Sequence, residues 1–232
     1  MMTWIVLLGS VALGGAASWA IETNGNTFKM LLAFSGAFLF GTIVTHMMPE
    51  VFSSGTTAGW WILLGFGIQL CLDFMSKGLE HGHFHSNEHR LPLLPLLGLF
   101  IHSFIEGMPL GAESDHSHAH HSDFQQGFLW SLAFHKMPIA LLVASALRSA
   151  KLSNLAVISC LVLFAISTPL GALFAEQTSA LKTITIPVLG IATGLLLHVS
   201  TTILFESAAN HQFNAIKLLF VALGIALSAF VL

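Results

Sequence analysis

Long apolar stretches alternate with short polar segments along the whole chain. About 20 consecutive apolar residues cross the hydrocarbon core of a bilayer, and a backbone inside lipid must satisfy its own hydrogen bonds. The pattern therefore predicts an all-α integral membrane protein, a bundle of eight transmembrane helices forming a single transmembrane domain over residues 1–232. The helices are expected at about 2–21, 28–48, 59–78, 91–111, 124–147, 152–175, 183–205 and 212–232.

The composition excludes a soluble globule and argues against a nucleic-acid-binding protein. Of the 232 residues, 55% are hydrophobic and only 8% are charged, whereas soluble domains average about 25% charged residues. The formal net charge of −3 does not favour a polyanionic partner. The first apolar stretch has no lysine or arginine before it, so we interpret it as a membrane helix rather than a signal peptide. The expected surroundings are the lipid bilayer.

The basic residues are unevenly distributed between the two sets of connecting segments, and this predicts the orientation. The odd-numbered connections and the helix ends beside them hold six basic residues, namely Lys29, Lys77, Arg90, Arg148, Lys151 and Lys217. The even-numbered connections hold only Lys182. Because lysine and arginine are enriched on the cytoplasmic side, both termini are predicted outside. This orientation places the histidine-rich loop at 79–90 on the cytoplasmic side and the histidine-rich loop at 112–123 on the external side.

The fourth and fifth predicted helices carry polar groups at membrane depth, which is costly and typical of functional sites. His102 and Glu106 are four residues apart and share one helical face, and His135 belongs to the next helix. Two ligands at i and i+4 are a standard way for one helix to bind a metal ion. Pro109 and Pro138 each follow a histidine, and we expect them to break their helices near the middle of the membrane.

Two groups beside these ligands admit alternative roles. Ser103 follows His102, and Lys136 follows His135. The ammonium group either neutralises Glu106 or occupies the place of a second cation.

Further metal-binding side chains lie towards the helix ends and in the two loops. They are interpreted as ligands for the entrance or exit of a metal ion, or alternatively as ordinary polar groups at the membrane surface. Histidine-rich tracts bind transition metals weakly. The set comprises His46, Glu50, His198 and Glu206 in the helices, His81, His83 and His85 in one loop, and His116, His118, His120 and His121 in the other.

Several motifs resemble the Zrt- and Irt-like (ZIP) metal transporters. They are "HSFIEG" in the fourth helix, "HKMP" in the fifth, "HMMPE" in the second and "ATGLLLHVSTTILFE" in the seventh. The resemblance implies uptake of divalent transition metals, chiefly zinc and iron, into the cytoplasm. It also implies an elevator-like movement of one helix group against another, and a two-metal site in some members. His102, Glu106 and His135 correspond to ligands of the first of these two sites. Two imidazoles and a carboxylate suit Zn²⁺, and also Fe²⁺, Mn²⁺ and Cd²⁺.

The sequence departs from the two-metal pattern of that family at four positions. Ser103 stands where asparagine is usual, and Lys136 stands where an acidic residue is found in some members. Ile139 and Thr168 stand where glutamate occurs in some members. All four changes remove ligands from the second site. We therefore predict a single metal ion, with zinc as the first choice and Lys136 as a built-in counter-charge.

Two other functions fit the same residues. Two histidines and one carboxylate resemble the site of a zinc hydrolase, which would make the chain an intramembrane enzyme. The histidine-rich loops alone would suit a metal sensor that transports nothing. The transporter is preferred because an ammonium group beside the metal suits hydrolysis poorly. No organic cofactor is expected. A homodimer is a common state for such bundles, and the short chain suggests a bacterial inner membrane.

Overall fold

A computed structural model of the chain describes residues 2–23, 25–76, 93–112, 120–206 and 215–230. Within these ranges, every regular element is helical. The eight apolar helices are α1 (Met2–Ala17), α2 (Asn26–Ser53), α3 (Gly59–Ser76), α4 (Leu93–Gly107), α5 (His120–Ser149), α6 (Asn154–Gln177), α7 (Thr185–Glu206) and α8 (Ala215–Phe230). Single-turn pieces precede α3 and α7 and follow α4.

Six of these helices are long and apolar enough to cross a membrane, namely α2 to α7. The all-α membrane bundle predicted from the sequence is therefore confirmed. The other two, α1 and α8, have 16 residues each within the described ranges. At about 1.5 Å per residue they extend about 24 Å, less than the roughly 30 Å of hydrocarbon. That all eight helices cross, and that both termini lie outside, remain predictions.

The predicted helix bounds agree with the observed ones to within about five residues. The largest consequence is at α5, which begins at His120, four residues before the predicted start. His120 and His121 therefore lie in the first turn of a helix, and their assignment to a loop was wrong. The helix start was predicted from the beginning of the apolar stretch. Histidine and serine are polar, but a helix can include them where it extends beyond the hydrocarbon.

The sequence suggested that the prolines of α4 and α5 break these helices near the middle of the membrane. This prediction was wrong. Pro109 lies in the 3₁₀ turn Met108–Leu110 that ends α4. Pro138 lies inside α5, which remains α-helical throughout. One missing N–H group is tolerated where neighbouring helices support the rest of the hydrogen-bond ladder. The irregularity occurs instead in α2, where a π-helical turn spans Ile43–Met47 just before Pro49.

The helices that carry His102, Glu106 and His135, α4 and α5, pack closely with α1 and α6, and these four helices are here called the ligand-bearing group. A Cβ atom added at Gly14 of α1 would collide with the carbonyl oxygen of Met137 in α5. One added at Gly107 of α4 would collide with the carbonyl oxygen of Thr168 in α6. Small residues let helix backbones approach closely in lipid. All four helices also contribute to one buried apolar cluster.

The remaining four helices, α2, α3, α7 and α8, form the flanking group. Gly65 of α3 lies against the carbonyl group of Ile191 in α7, with no room for a Cβ atom between them. Gly224 of α8 lies similarly close to the backbone of Phe34 in α2. Each of these backbone contacts joins two helices of the same group. The bundle is thus built from two tightly packed sets of four helices.

The boundary between the two groups contains contacts between bulky apolar side chains. The ring of Phe134 in α5 meets Phe34 and Phe38 of α2 edge to face, with centroids 6.0 and 5.4 Å apart. Farther along the same boundary, Leu142 of α5 packs in one cluster with Val199 of α7. Packed side-chain surfaces of this kind can slide more readily than interlocked backbones, because no glycine notch holds the register.

Candidate metal centre

Three buried side chains converge where α4 meets α5. His102 and Glu106 project from the same face of α4, and His135 projects from α5. Their exposed fractions are 1%, 1% and 0%. One ligand atom from each residue lies within 4.8 Å of the other two. Among the described residues, this is the group of three metal-binding side chains close enough together to hold a metal ion.

The closest pair already has the separation that a shared metal ion requires. His102 Nε2 and Glu106 Oε2 are 3.3 Å apart. Two ligand atoms that are both 2.0–2.1 Å from a tetrahedral zinc ion lie about 3.3 Å from each other. The ring of His135 faces that of His102 with the centroids 6.4 Å apart. The three side chains are therefore close enough together to hold one small cation between them.

Lys136 directs its ammonium group to the opposite oxygen of the same carboxylate. Its Nζ lies 2.6 Å from Glu106 Oε1, and it donates a hydrogen bond to Ser103 Oγ at 3.0 Å. It also lies over the ring of Phe164, 4.1 Å from the centroid. The Lys136 side chain is 1% exposed. Paired burial of the two opposite charges avoids the cost of leaving either one alone in the bundle.

Thr168 of α6 completes the environment of Glu106. Its hydroxyl oxygen is 2.9 Å from Glu106 Oε1 and 2.8 Å from the carbonyl oxygen of Ser103, so its hydrogen can be donated to either. Glu106 Oε1 thus contacts Lys136 and Thr168, while Oε2 faces His102. The carboxylate is divided between a fixed positive charge on one side and the two histidines on the other.

Gln69 of α3 contacts the site from the flanking group, and it was not among the residues predicted from the sequence. His102 Nδ1 donates a hydrogen bond to Gln69 Oε1 at 2.9 Å. Gln69 is fully buried. An uncharged amide in the run "GIQLCLDF" does not stand out as an intramembrane charge does, so the residue type alone did not indicate this contact.

The other predicted ligands in the described helices do not join this cluster. His46 is half-buried on the π-helical turn of α2, and Thr45 Oγ1 lies 2.5 Å from its Nδ1. Glu50 is half-buried one turn later. His198 is buried in α7 against the ring of Phe66, with the centroids 4.9 Å apart. Glu206 is the last residue of α7.

The histidines of the two loops fall mainly outside the described residues. This applies to His81, His83, His85, His116 and His118. His120 and His121 lie in the first turn of α5. Their assignment to metal capture remains a prediction from the sequence.

The sequence model of the ZIP zinc transporter family matches residues 90–232 of this chain. This range is more than half of the sequence and contains α4 to α8, including the buried triad. The chain belongs to the ZIP zinc transporter family. The resemblance inferred from the sequence motifs is thereby confirmed. As a ZIP protein, the chain is an integral multi-pass membrane protein that transports divalent metal ions, and the family consists of transporters rather than enzymes.

A curated relative supports the same assignment. The chain is 23% identical to Fe(2+) transport protein 1 of Arabidopsis thaliana over 255 aligned residues. The alignment covers 88% of this chain and 72% of the plant protein. The similarity therefore extends over both helix groups and not only over the ligand-bearing helices.

Proposed function

We propose that this ZIP protein carries one divalent transition metal ion at a time, preferentially Zn²⁺, across the membrane into the cytoplasm. The observation that carries the proposal is the buried convergence of His102, Glu106 and His135 between α4 and α5. These three side chains are the proposed ligands of the transported ion. Water completes the coordination shell, which leaves the ion exchangeable, as a transported substrate must be.

The donor set supports a borderline transition metal. Two imidazoles and one carboxylate suit Zn²⁺ and Fe²⁺, and Mn²⁺ and Cd²⁺ would compete. The free thiols of the chain, Cys71 and Cys160, lie outside the triad. The matching family is described as one of zinc transporters, and the plant relative is named for Fe²⁺. We assign zinc as the preferred substrate because a small four-coordinate site fits it best.

The position of Lys136 supports transport of a single metal ion. Its ammonium group lies 2.6 Å from Glu106 Oε1 and is held by Ser103 as well. A second dication beside that oxygen would meet a fixed positive charge at close range in a poorly screened environment. We therefore assign Lys136 as the counter-charge that takes the place of a second metal ion.

The route to and from the site is proposed from the remaining metal-binding side chains. His46 and Glu50 on one side and His198 and Glu206 on the other are assigned to the entrance and exit. The histidine-rich segments at 79–90 and 112–123 would concentrate the ion at the two surfaces. The direction, into the cytoplasm, is the one that the resemblance to the ZIP transporters implies, and a bacterial inner membrane remains our expectation. A homodimer remains our expectation.

Alternating access by an elevator-like movement is supported by how the two helix groups pack. Glycine contacts lock backbone to backbone within each group, whereas Phe34, Phe38 and Phe134 meet as side chains across the boundary. The ligands His102, Glu106 and His135 all belong to one group. That group can therefore move as a unit past the flanking group while the metal site keeps its geometry.

Uptake of radioactive zinc into proteoliposomes tests the proposed function. We expect saturable uptake by the wild-type protein, with one zinc ion bound per chain in detergent. His102→Ala should reduce uptake at submicromolar zinc at least tenfold, because one of three protein ligands is lost. Added Fe²⁺, Mn²⁺ and Cd²⁺ should compete less well than unlabelled zinc.

The control for this experiment is His198→Ala, which removes a buried histidine outside the triad. Uptake in that variant should fall less than in His102→Ala. Wild-type protein that binds zinc but takes none up would contradict transport. Two zinc ions bound per chain would contradict the assignment of Lys136 as a counter-charge.

A cross-link across the group boundary should stop transport if the groups slide past each other. We would replace Cys71 and Cys160 by serine and alanine, and then place cysteines at Phe38 and Phe134, whose rings are 5.4 Å apart across the boundary. A short bifunctional thiol reagent should join them and reduce uptake at least tenfold. The measurement is zinc uptake before and after cross-linking.

The matched control is a cross-link within the ligand-bearing group. The rings of Phe104 in α4 and Phe174 in α6 are 5.6 Å apart, nearly the same separation. Cross-linking cysteines at these two positions should leave at least half of the uptake. Full activity after complete cross-linking of the 38–134 pair would rule out a sliding movement at this boundary.

A further inference from the structure

Gln69 forms a buried hydrogen bond with a proposed metal ligand from the opposite helix group. His102 Nδ1 donates to Gln69 Oε1 at 2.9 Å, and the two side chains are 1% and 0% exposed. Gln69 belongs to α3 in the flanking group, and His102 belongs to α4 in the ligand-bearing group. The contact therefore crosses the boundary described above.

The position of Gln69 on its helix shows that the amide occupies a core site. The buried positions of this segment are Ala58, Ile62, Gly65, Gln69 and Leu72, spaced three or four residues apart. Such spacing marks one helical face. Gln69 is the polar member of this otherwise apolar stripe. A buried amide costs free energy unless it is hydrogen-bonded, so its presence there needs a specific partner.

This hydrogen bond determines which nitrogen of His102 is presented to the metal. A carbonyl oxygen accepts only a hydrogen, so the bond places the Nδ1 hydrogen towards Gln69. The lone pair for a metal is then on Nε2, the atom that lies 3.3 Å from Glu106 Oε2. Outer partners of this kind hold the ring of a metal-binding histidine in orientation and typically contribute about 10–100-fold to metal affinity.

We propose that Gln69 is a positioning residue that ties the metal affinity of the site to the relative position of the two helix groups. This inference rests on the proposed transport function. In the arrangement seen here, the amide orients His102 and the site binds metal tightly. When the ligand-bearing group slides past α3, the hydrogen bond must break, and the ring loses its external support. Affinity then falls, which favours release of the ion.

The chemistry of the amide suits this role better than a carboxylate would. A neutral acceptor orients the imidazole without adding negative charge to the site. A glutamate at the same position would still accept the hydrogen bond, but its charge would attract the metal ion as well. We expect Gln69→Glu to bind zinc at least as tightly as the wild type and to release it more slowly.

The test combines zinc binding in detergent with zinc uptake in proteoliposomes. Gln69→Met keeps the size of the side chain and removes the acceptor. We expect its zinc affinity to fall about 10–100-fold. In uptake, KM should rise by a similar factor, while the maximal rate stays within twofold of the wild type, because breaking the bond is already part of the cycle. Gln69→Glu should restore affinity and lower the maximal rate.

Thr193→Val in α7 is the matched control, since it also removes a fully buried hydrogen-bonding group from the flanking group. Thr193 Oγ1 donates to Leu189 O in its own helix. Its substitution should change neither KM nor zinc affinity more than twofold. If Gln69→Met does not fold, Gln69→Asn provides the same test, because the shorter amide cannot reach His102.

The outcomes separate this inference from the proposed function. Absence of uptake by the wild type, together with a weakened zinc affinity in Gln69→Met, would refute transport and leave the positioning role standing. Normal wild-type uptake with unchanged affinity in Gln69→Met or Gln69→Asn would overturn the positioning role. A fall in maximal rate at unchanged KM would mean that Gln69 has only a structural role.

Discussion

We expect Glu106→Gln to reduce zinc uptake to background and to lower the free energy of unfolding by about 3–5 kcal/mol. Both effects have one cause. The substitution removes the negative charge that balances Lys136 at 2.6 Å, and Lys136 is 1% exposed. An ammonium group left without its counter-charge inside the bundle is costly, and it repels an incoming dication. The measurements are uptake in proteoliposomes and denaturant unfolding in detergent.

The double variant Glu106→Gln/Lys136→Met separates the two effects. It replaces the ion pair with neutral side chains of similar size, and such replacements are often neutral for stability. We expect most of the lost stability to return, while uptake remains at background because the carboxylate ligand is still missing. Recovery of uptake in the double variant would show that Glu106 serves only to neutralise Lys136.

We expect Gly107→Ala to destabilise the ligand-bearing group and to disrupt the metal site with it. An alanine Cβ atom at this position would collide with the carbonyl oxygen of Thr168, the residue whose hydroxyl donates to Glu106. Neither backbone can yield as a flexible side chain would, so α4 and α6 must separate. Overpacking typically costs about 1–3 kcal/mol, and we expect the upper end of that range. Uptake should fall at least tenfold.

Gly67→Ala is the control for the same substitution in a helix of the flanking group. A Cβ atom added at Gly67 of α3 meets nothing within 4 Å. Alanine favours a helix over glycine by about 1 kcal/mol, so this variant should be as stable as the wild type or slightly more stable. Thermal unfolding of the two variants in one detergent compares them. Equal stability of Gly107→Ala and the wild type would mean that α4 and α6 are not tightly packed.

The predictable part of the fold was the part that depends on local sequence. Apolar stretches long enough for a membrane, together with few charges, fix the all-α class and the positions of the helices. The start of α5 was less predictable, because histidine-rich residues continue the helix beyond the apolar stretch. Pro138 was wrongly predicted to break α5. The free-energy cost of its missing N–H donor depends on the neighbouring helices, which the sequence does not show.

In the candidate site, too, the contacts within one helix were predictable and the contacts between helices were not. The sequence by itself placed His102 and Glu106 on one face of α4, because a spacing of four residues acts within a single helix. Family resemblance added His135 as the third ligand. Only the tertiary structure brought Gln69 to one side of this triad and Thr168 to the other, and only it divided the helices into two groups. These contacts depend on how separate helices approach each other, and glycine-lined packing decides that approach without leaving any periodic signal in one helix alone.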